Sequence, residues 1–135
     1  MSSAALRARY VTDSVTTASP ARLLVMLYDK LALDLGQAEE GFRAGDRPLG
    51  RDRVTHAQDI VLELLSSLDV DAWAGAGQLA SLYTFLIGEL TQAHVAADAD
   101  RVAACAKLVA PLREAWRAAA AEVAQTGTTP MGGVA

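Results

Sequence analysis

The stretch Val15–Lys30, VTTASPARLLVMLYDK, decides how the rest of this chain is read. Ser19-Pro20 marks a helix start, because the Ser hydroxyl accepts from an orphan first-turn amide and Pro at the first helical position loses no bond it would have made. Six apolar or aromatic residues then follow without a break, Leu23 to Tyr28. A helix of a soluble domain needs one apolar stripe roughly 100° wide. The surplus side chains must therefore face something else.

Outward from that start, Leu24, Leu27, Tyr28, Leu31, Leu35, Ala38 and Phe42 fall on one side of a helix running from Pro20 to Ala44, which Gly45 with Asp46, Arg47 and Pro48 closes. A second helix repeats the pattern with Val54, Ala57, Val61, Leu64, Leu65 and Leu68, before a glycine-containing loop from Asp69 to Gly77. The third uses Leu79, Leu82, Tyr83, Leu86, Leu90, Ala93 and Ala97. Asp98 offers an N-cap for the fourth, with Asp100 in its first turn against the positive end of the helix dipole, and Val102, Cys105, Val109, Leu112, Trp116 and Val123 as its stripe. Pro111 inside that helix predicts a kink near Lys107 to Ala110. Strand-type alternation is absent.

Four helices of about 20 residues joined by short links predict an all-α fold, an antiparallel up-down-up-down four-helix bundle. The bundle is expected over residues 19–125. Residues 1–18 form an N-terminal cap segment with a short helical option through Leu6, Tyr10 and Val15, too poor in apolar area to fold without docking. Residues 126–135, TGTTPMGGVA, read as a flexible tail.

With 135 residues, 52% of them hydrophobic, the chain has enough apolar mass for one core and too little for two. The net charge of -4 and pI near 5.0 argue against a partner recognised through phosphates. The interval between Arg53 and Arg101 holds no Lys or Arg, yet carries Asp59, Glu63, Asp69, Asp71, Glu89, Asp98 and Asp100, so nucleic acid is an unsuitable ligand. Cys105 stands alone, which excludes an intramolecular disulfide, suits a reducing compartment, and reads as a small core residue. Arg7 and Arg9 are followed by no apolar run of signal-peptide length, and no uncharged stretch reaches the roughly 18 residues a membrane span needs. The expectation is a cytoplasmic protein with no membrane insertion.

The apolar surplus recurs on every helix. Val25, Met26 and Leu33 point away from the core direction of the first; Ile60 and Leu62 flank the stripe of the second, Phe85 and Ile87 that of the third, and Leu108 lies beside Leu112 and Ala115 on the fourth. Leaving such a side chain in water forgoes roughly 1.5–3 kcal/mol relative to full burial. Two readings stay open: wide stripes thicken the core, or they form a surface groove for another helix or apolar segment.

Candidate chemistry is sparse. His56 is followed by Ala57, Gln58 and Asp59 with no Lys to hold a phosphoryl group, so a phosphotransfer role is the weakest alternative. His94 and Asp98 are four apart, but two ligands are too few for a metal site. Glu63 and Glu89 are followed three residues on by Ser66 and Gln92, so the Glu-x-x-His pairs of a di-iron bundle are missing. With no phosphate loop and no nucleophile in a recognised setting, neither catalytic residues nor a cofactor are expected.

The segment TASPARLLVMLYD, Thr17 to Asp29, resembles the signature of the flagellar secretion chaperone FliS family, with its Ser19-Pro20 and its triplet Leu27-Tyr28-Asp29. LELLSSLDVDAW, GQLASLYTFL with Leu82 and Tyr83, and VAPLREAW ending in Trp116 are similar to later family segments in the same order. The resemblance implies a four-helix bundle that acts as a non-enzymatic cytoplasmic export chaperone. It would bind the C-terminal helical region of flagellin along apolar grooves and prevent premature polymerisation. Met26, Leu33, Ile60, Leu62, Phe85, Ile87 and Leu108 would then be candidate client contacts, and Leu6, Tyr10 and Val15 a cap that yields to the client. The flagellar export gate and flagellar regulators are further candidate partners, and the chain is expected to be a monomer or weak homodimer. Gln78, His94, Lys30 and Pro111 depart from the family pattern. The alternative from another class is a self-associating structural bundle whose wide arcs pair with a second copy.

Overall fold

In the computed structural model, Ala4 and residues 19–125 are described; Leu6, Tyr10, Val15 and the tail 126–135 lie outside them. The described residues form four helices, α1 (Pro20–Arg43), α2 (Arg47–Ser67), α3 (Ala76–Ala96) and α4 (Ala99–Gln125). No strand occurs among them. The fold is an all-α four-helix bundle.

The helix ends follow from single residues. Ser19 Oγ accepts from Arg22 N at 3.2 Å and opens α1. Gly45, at φ 77°, makes the left-handed turn that ends it. Asp46 takes part in that ending, its N–H donating to Gly41 O at 2.8 Å, whereas Arg47 and Pro48, which the sequence expectation also placed there, already belong to α2. Asp46 is the N-cap of α2, its Oδ1 accepting from Leu49 N at 3.2 Å, and Pro48 sits in the first turn where its missing N–H has no intrahelical partner to lose. Gly77 is likewise inside α3 and not in the preceding loop. Ala97 closes α3 in the left-handed region at φ 50°, and Asp98 Oδ1 then caps α4 by accepting from Arg101 N at 3.1 Å. α4 remains one helix on both sides of Pro111.

The chain divides into two compact units. The larger, residues 29–110, contains part of every helix. Its core is built from Leu31, Leu35, Ala38 and Phe42, Val54, Ala57, Val61 and Leu64, Leu79, Tyr83, Leu86, Leu90 and Ala93, and Val102, Cys105 and Val109, all buried. These are the positions the apolar periodicity selects; Leu65, Leu68 and Leu82 are only half-buried. Cys105 is buried, and desolvation assisted by the negative charge of Glu89 pushes its thiol up to about 11. Asp34 is the one buried charged residue among those described, a feature no apolar pattern announces.

The smaller unit holds the described ends, 20–28 of α1 and 111–125 of α4. Its centre is Tyr28, fully buried, with its ring 6.5 Å from that of Trp116 and tilted by 45°, a separation at which aromatic pairs attract. The Trp116 indole N–H is buried there without a hydrogen-bond partner.

Candidate protein-interaction surface

Cross-helix polar bonds fix the register inside the larger unit, and from that register the outer walls can be assembled. Gln58 Nε2 donates to Ile87 O at 3.3 Å and Thr91 Oγ1 at 2.8 Å, and Arg51 Nε donates to His94 O at 2.9 Å, which sets α2 antiparallel to α3. Gln58 is therefore level with Ile87, and Leu62, one turn beyond Gln58, lies one turn before Ile87 along the α2/α3 seam. Arg101 pairs with Glu89 at 3.0 Å and joins α4 to α3. Phe85 lies one turn before Glu89 and Leu108 two turns beyond Arg101, so these two flank the α3/α4 seam. Arg43 bridges to Glu39 at 2.9 Å and to Asp100 at 3.1 Å, tying α1 to α4, and these two bonds raise the guanidinium pKa further.

Against that frame, Leu33 and Phe85 are 53% exposed, Leu62 49%, Leu108 41% and Met26 37%. Those values place them on the surface and remove them from the core. Ile60 and Ile87 are half-buried on the flanks of α2 and α3. Met26 belongs to the smaller unit and the other six to the larger. Sequence reasoning did not single out Leu49, Val70, Trp73 and Val95, which are also exposed. Val70 and Trp73 lie in the α2–α3 loop, where helical periodicity gives no signal, and Leu49 was missed because the stripe of the second helix was counted only from Val54, whereas α2 starts at Arg47.

The other flank of α2 carries a trough. On α1 and the turn that follows it, Lys30, Asp34, Gln37, Gly41 and Ala44 recur at four and three; on α2, Leu49, Arg53, His56 and Ile60 do the same, so two stripes face each other over about 20 Å. They enclose a hollow of about 570 Å³ near the α1–α2 turn, lined among others by Gln37, Gly41, Leu49 and Arg53. A second, of about 220 Å³, is lined by Lys30, Asp34, His56, Asp59 and Ile60. Gly41 is required at the closed end, since a Cβ there would lie 2.9 Å from Gly50 N, and one on Gly50 would overlap the Phe42 ring.

No group of three or more His, Cys, Asp or Glu side chains among the described residues could hold a metal ion. His56 is exposed, 3.8 Å from Asp52, and His94 contributes its backbone carbonyl to Arg51. No described helix is long and apolar enough to cross a membrane.

The family model described as flagellar protein FliS matches residues 2–123. The chain belongs to the FliS family. It is similar to the flagellar secretion chaperone FliS of Bacillus subtilis (strain 168), 27% identical over 110 residues that cover 82% of each chain. It is also similar to the flagellar secretion chaperone FliS of Vibrio cholerae serotype O1 (strain ATCC 39315 / El Tor Inaba N16961), 27% identical over 107 residues, 78% of this chain and 79% of that one.

In this FliS-family chain the signature residues divide by burial. Ser19 and Pro20 start α1; Tyr28 and Tyr83 are core; Leu27, Asp29, Leu82 and Trp116 are half-buried. The signature segments thus carry both buried bundle positions and exposed apolar residues, Met26, Leu62 and Phe85 among them, whereas Leu33 and Leu108 lie outside these segments.

Proposed function

We propose that this chain is a cytoplasmic, non-catalytic flagellar export chaperone that binds the C-terminal helical region of flagellin and keeps it from polymerising before secretion. The observation that carries the reading is the set of large apolar side chains left exposed on all four helices, Leu33, Leu62, Phe85 and Leu108 with Met26. Exposed apolar area of this extent is what an amphipathic helix-in-groove partner covers. Membership of the family supports the reading, as do two relatives that carry the name flagellar secretion chaperone. A client segment that folds as it binds gives up conformational entropy, so a large wrapped contact yields moderate affinity.

The candidate contacts are Met26, Leu33, Ile60, Leu62, Phe85, Ile87 and Leu108, with Leu6, Tyr10 and Val15 as a cap that yields to the client. The test is calorimetric titration of the full chain with a peptide spanning the last helical segment of its own organism's flagellin. A saturable one-to-one isotherm with negative heat-capacity change is expected. Absence of heat at several temperatures, together with no co-elution, would refute the reading.

A further inference from the structure

The pair Asp34–Arg53 leaves one acceptor and one donor unused at the same place. Asp34 Oδ1 accepts from Lys30 Nζ at 2.9 Å and lies 3.7 Å from Arg53 Nη1. Asp34 Oδ2 and Arg53 Nε are both buried without a hydrogen-bond partner. Buried polar atoms are nearly always paired, because an unmade bond forfeits hydration with nothing in return. Asp34 is on the wall of the smaller hollow and Arg53 on that of the larger, so the pair forms the saddle of the trough.

We propose that the α1/α2 trough receives a protein segment that lays the carboxamide of an Asn or Gln side chain across this saddle, its N–H donating to Asp34 Oδ2 and its carbonyl accepting from Arg53 Nε. A carboxamide supplies both functions from one planar group. An ammonium group only donates and a carboxylate only accepts, so either would leave one orphan in place. Leu49 on one side and Ile60 on the other seat apolar neighbours of that residue. Lys30 is the movable cover: its side chain is 47% exposed and can swing into water when the segment arrives. The proposal rests on the flagellin reading only for the identity of the segment, which takes its register in the trough from this one polar contact.

Two arms test it on the full chain. In the first, the Arg53 Nε–H resonance is followed by nitrogen-15 NMR as propionamide is added, with N,N-dimethylpropionamide, which cannot donate, as control. Because the control keeps the carbonyl that accepts from Arg53 Nε but loses the donor to Asp34 Oδ2, a saturable shift at clearly lower concentration with propionamide than with the control is expected; identical responses would overturn the proposal. In the second, the flagellin C-terminal peptide is titrated into wild type and into the double variant Asp34→Leu/Arg53→Leu. Replacing a buried ion pair by apolar residues commonly preserves stability, so an unchanged melting temperature with at least tenfold weaker binding is expected. Wild-type affinity in that variant would make the pair purely structural and overturn the proposal. If wild type itself does not bind the peptide, the flagellin reading falls while the propionamide arm still decides the site.

Discussion

The two flanks of α2 are built on opposite principles. Toward α3, the helices pack closely and Gln58 and Arg51 satisfy α3 carbonyls, so the seam is sealed and its outer edge carries apolar side chains, Leu62 and Ile87. Toward α1, the side chains at the same depth are charged, Asp34 and Arg53, and the helices leave two hollows around them. The difference lies in what each side can satisfy from within. An amide reaching a backbone carbonyl closes its accounts locally, whereas a carboxylate facing a guanidinium at 3.7 Å leaves polar atoms over. A sealed seam stabilises the bundle, and an open one is where a partner can add bonds.

The largest expected effect that tests this contrast is Asp34→Ala. Removing one member of a buried ion pair strands the other, and the loss should be about 3 kcal/mol, at the lower end of the usual range because Arg53 keeps some exposure. Denaturant unfolding of this single variant beside the Leu/Leu double variant checks it; equal losses in both would mean that the pair is not coupled.

A global weakening should leave the contrast intact. The folded Cys105 thiol holds its proton up to pH about 11 whereas the unfolded one releases it near 9.0. Stability present below pH 9 should therefore fall as pH rises through the folded value, by about 2–3 kcal/mol in total. Cys105→Ala unfolded at pH 8 and pH 11 provides the comparison, since it should lack this part of the alkaline loss.

On the sealed flank, Gln58→Ala removes two hydrogen bonds at a partly wet site and should cost about 1 kcal/mol, without effect on the trough. A cost comparable with that of Asp34→Ala would erase the distinction between the two sides.

Much of this was legible in the sequence. Leu31, Leu35, Val61, Leu86, Leu90 and Val109 recur at helical spacing and are buried, because periodicity reports the one face a helix can hide. Leu33, Leu62, Phe85 and Leu108 were legible for the complementary reason, as apolar residues outside that face. Asp34 was not. A charged residue beside a stripe normally reads as solvated, and only the approach of Arg53 from another helix shows that it is buried. The trough was invisible for the same reason, since its two walls come from separate helices. Asp46 illustrates a third limit: Gly-Asp-Arg-Pro both ends and begins helices, and only the bonds from Asp46 N to Gly41 O and from Leu49 N to Asp46 Oδ1 show that Asp46 serves both.

The smallest stability effect carries the sharpest functional contrast. Phe85 is 53% exposed on the α3/α4 flank, so Phe85→Asp should change unfolding stability by no more than about 0.5 kcal/mol, as surface substitutions usually do. Its cost appears only when a partner covers it, because a carboxylate would then be buried against apolar surface without a counter-charge. Calorimetric titration with the flagellin peptide should accordingly show binding weakened at least tenfold, about 1.4 kcal/mol, by a substitution that leaves the melting curve in place. Equal losses of stability and binding would return Phe85 to the core and leave the trough as the principal interaction surface. Undiminished binding would place the client along the α1/α2 and α2/α3 flanks, away from α4.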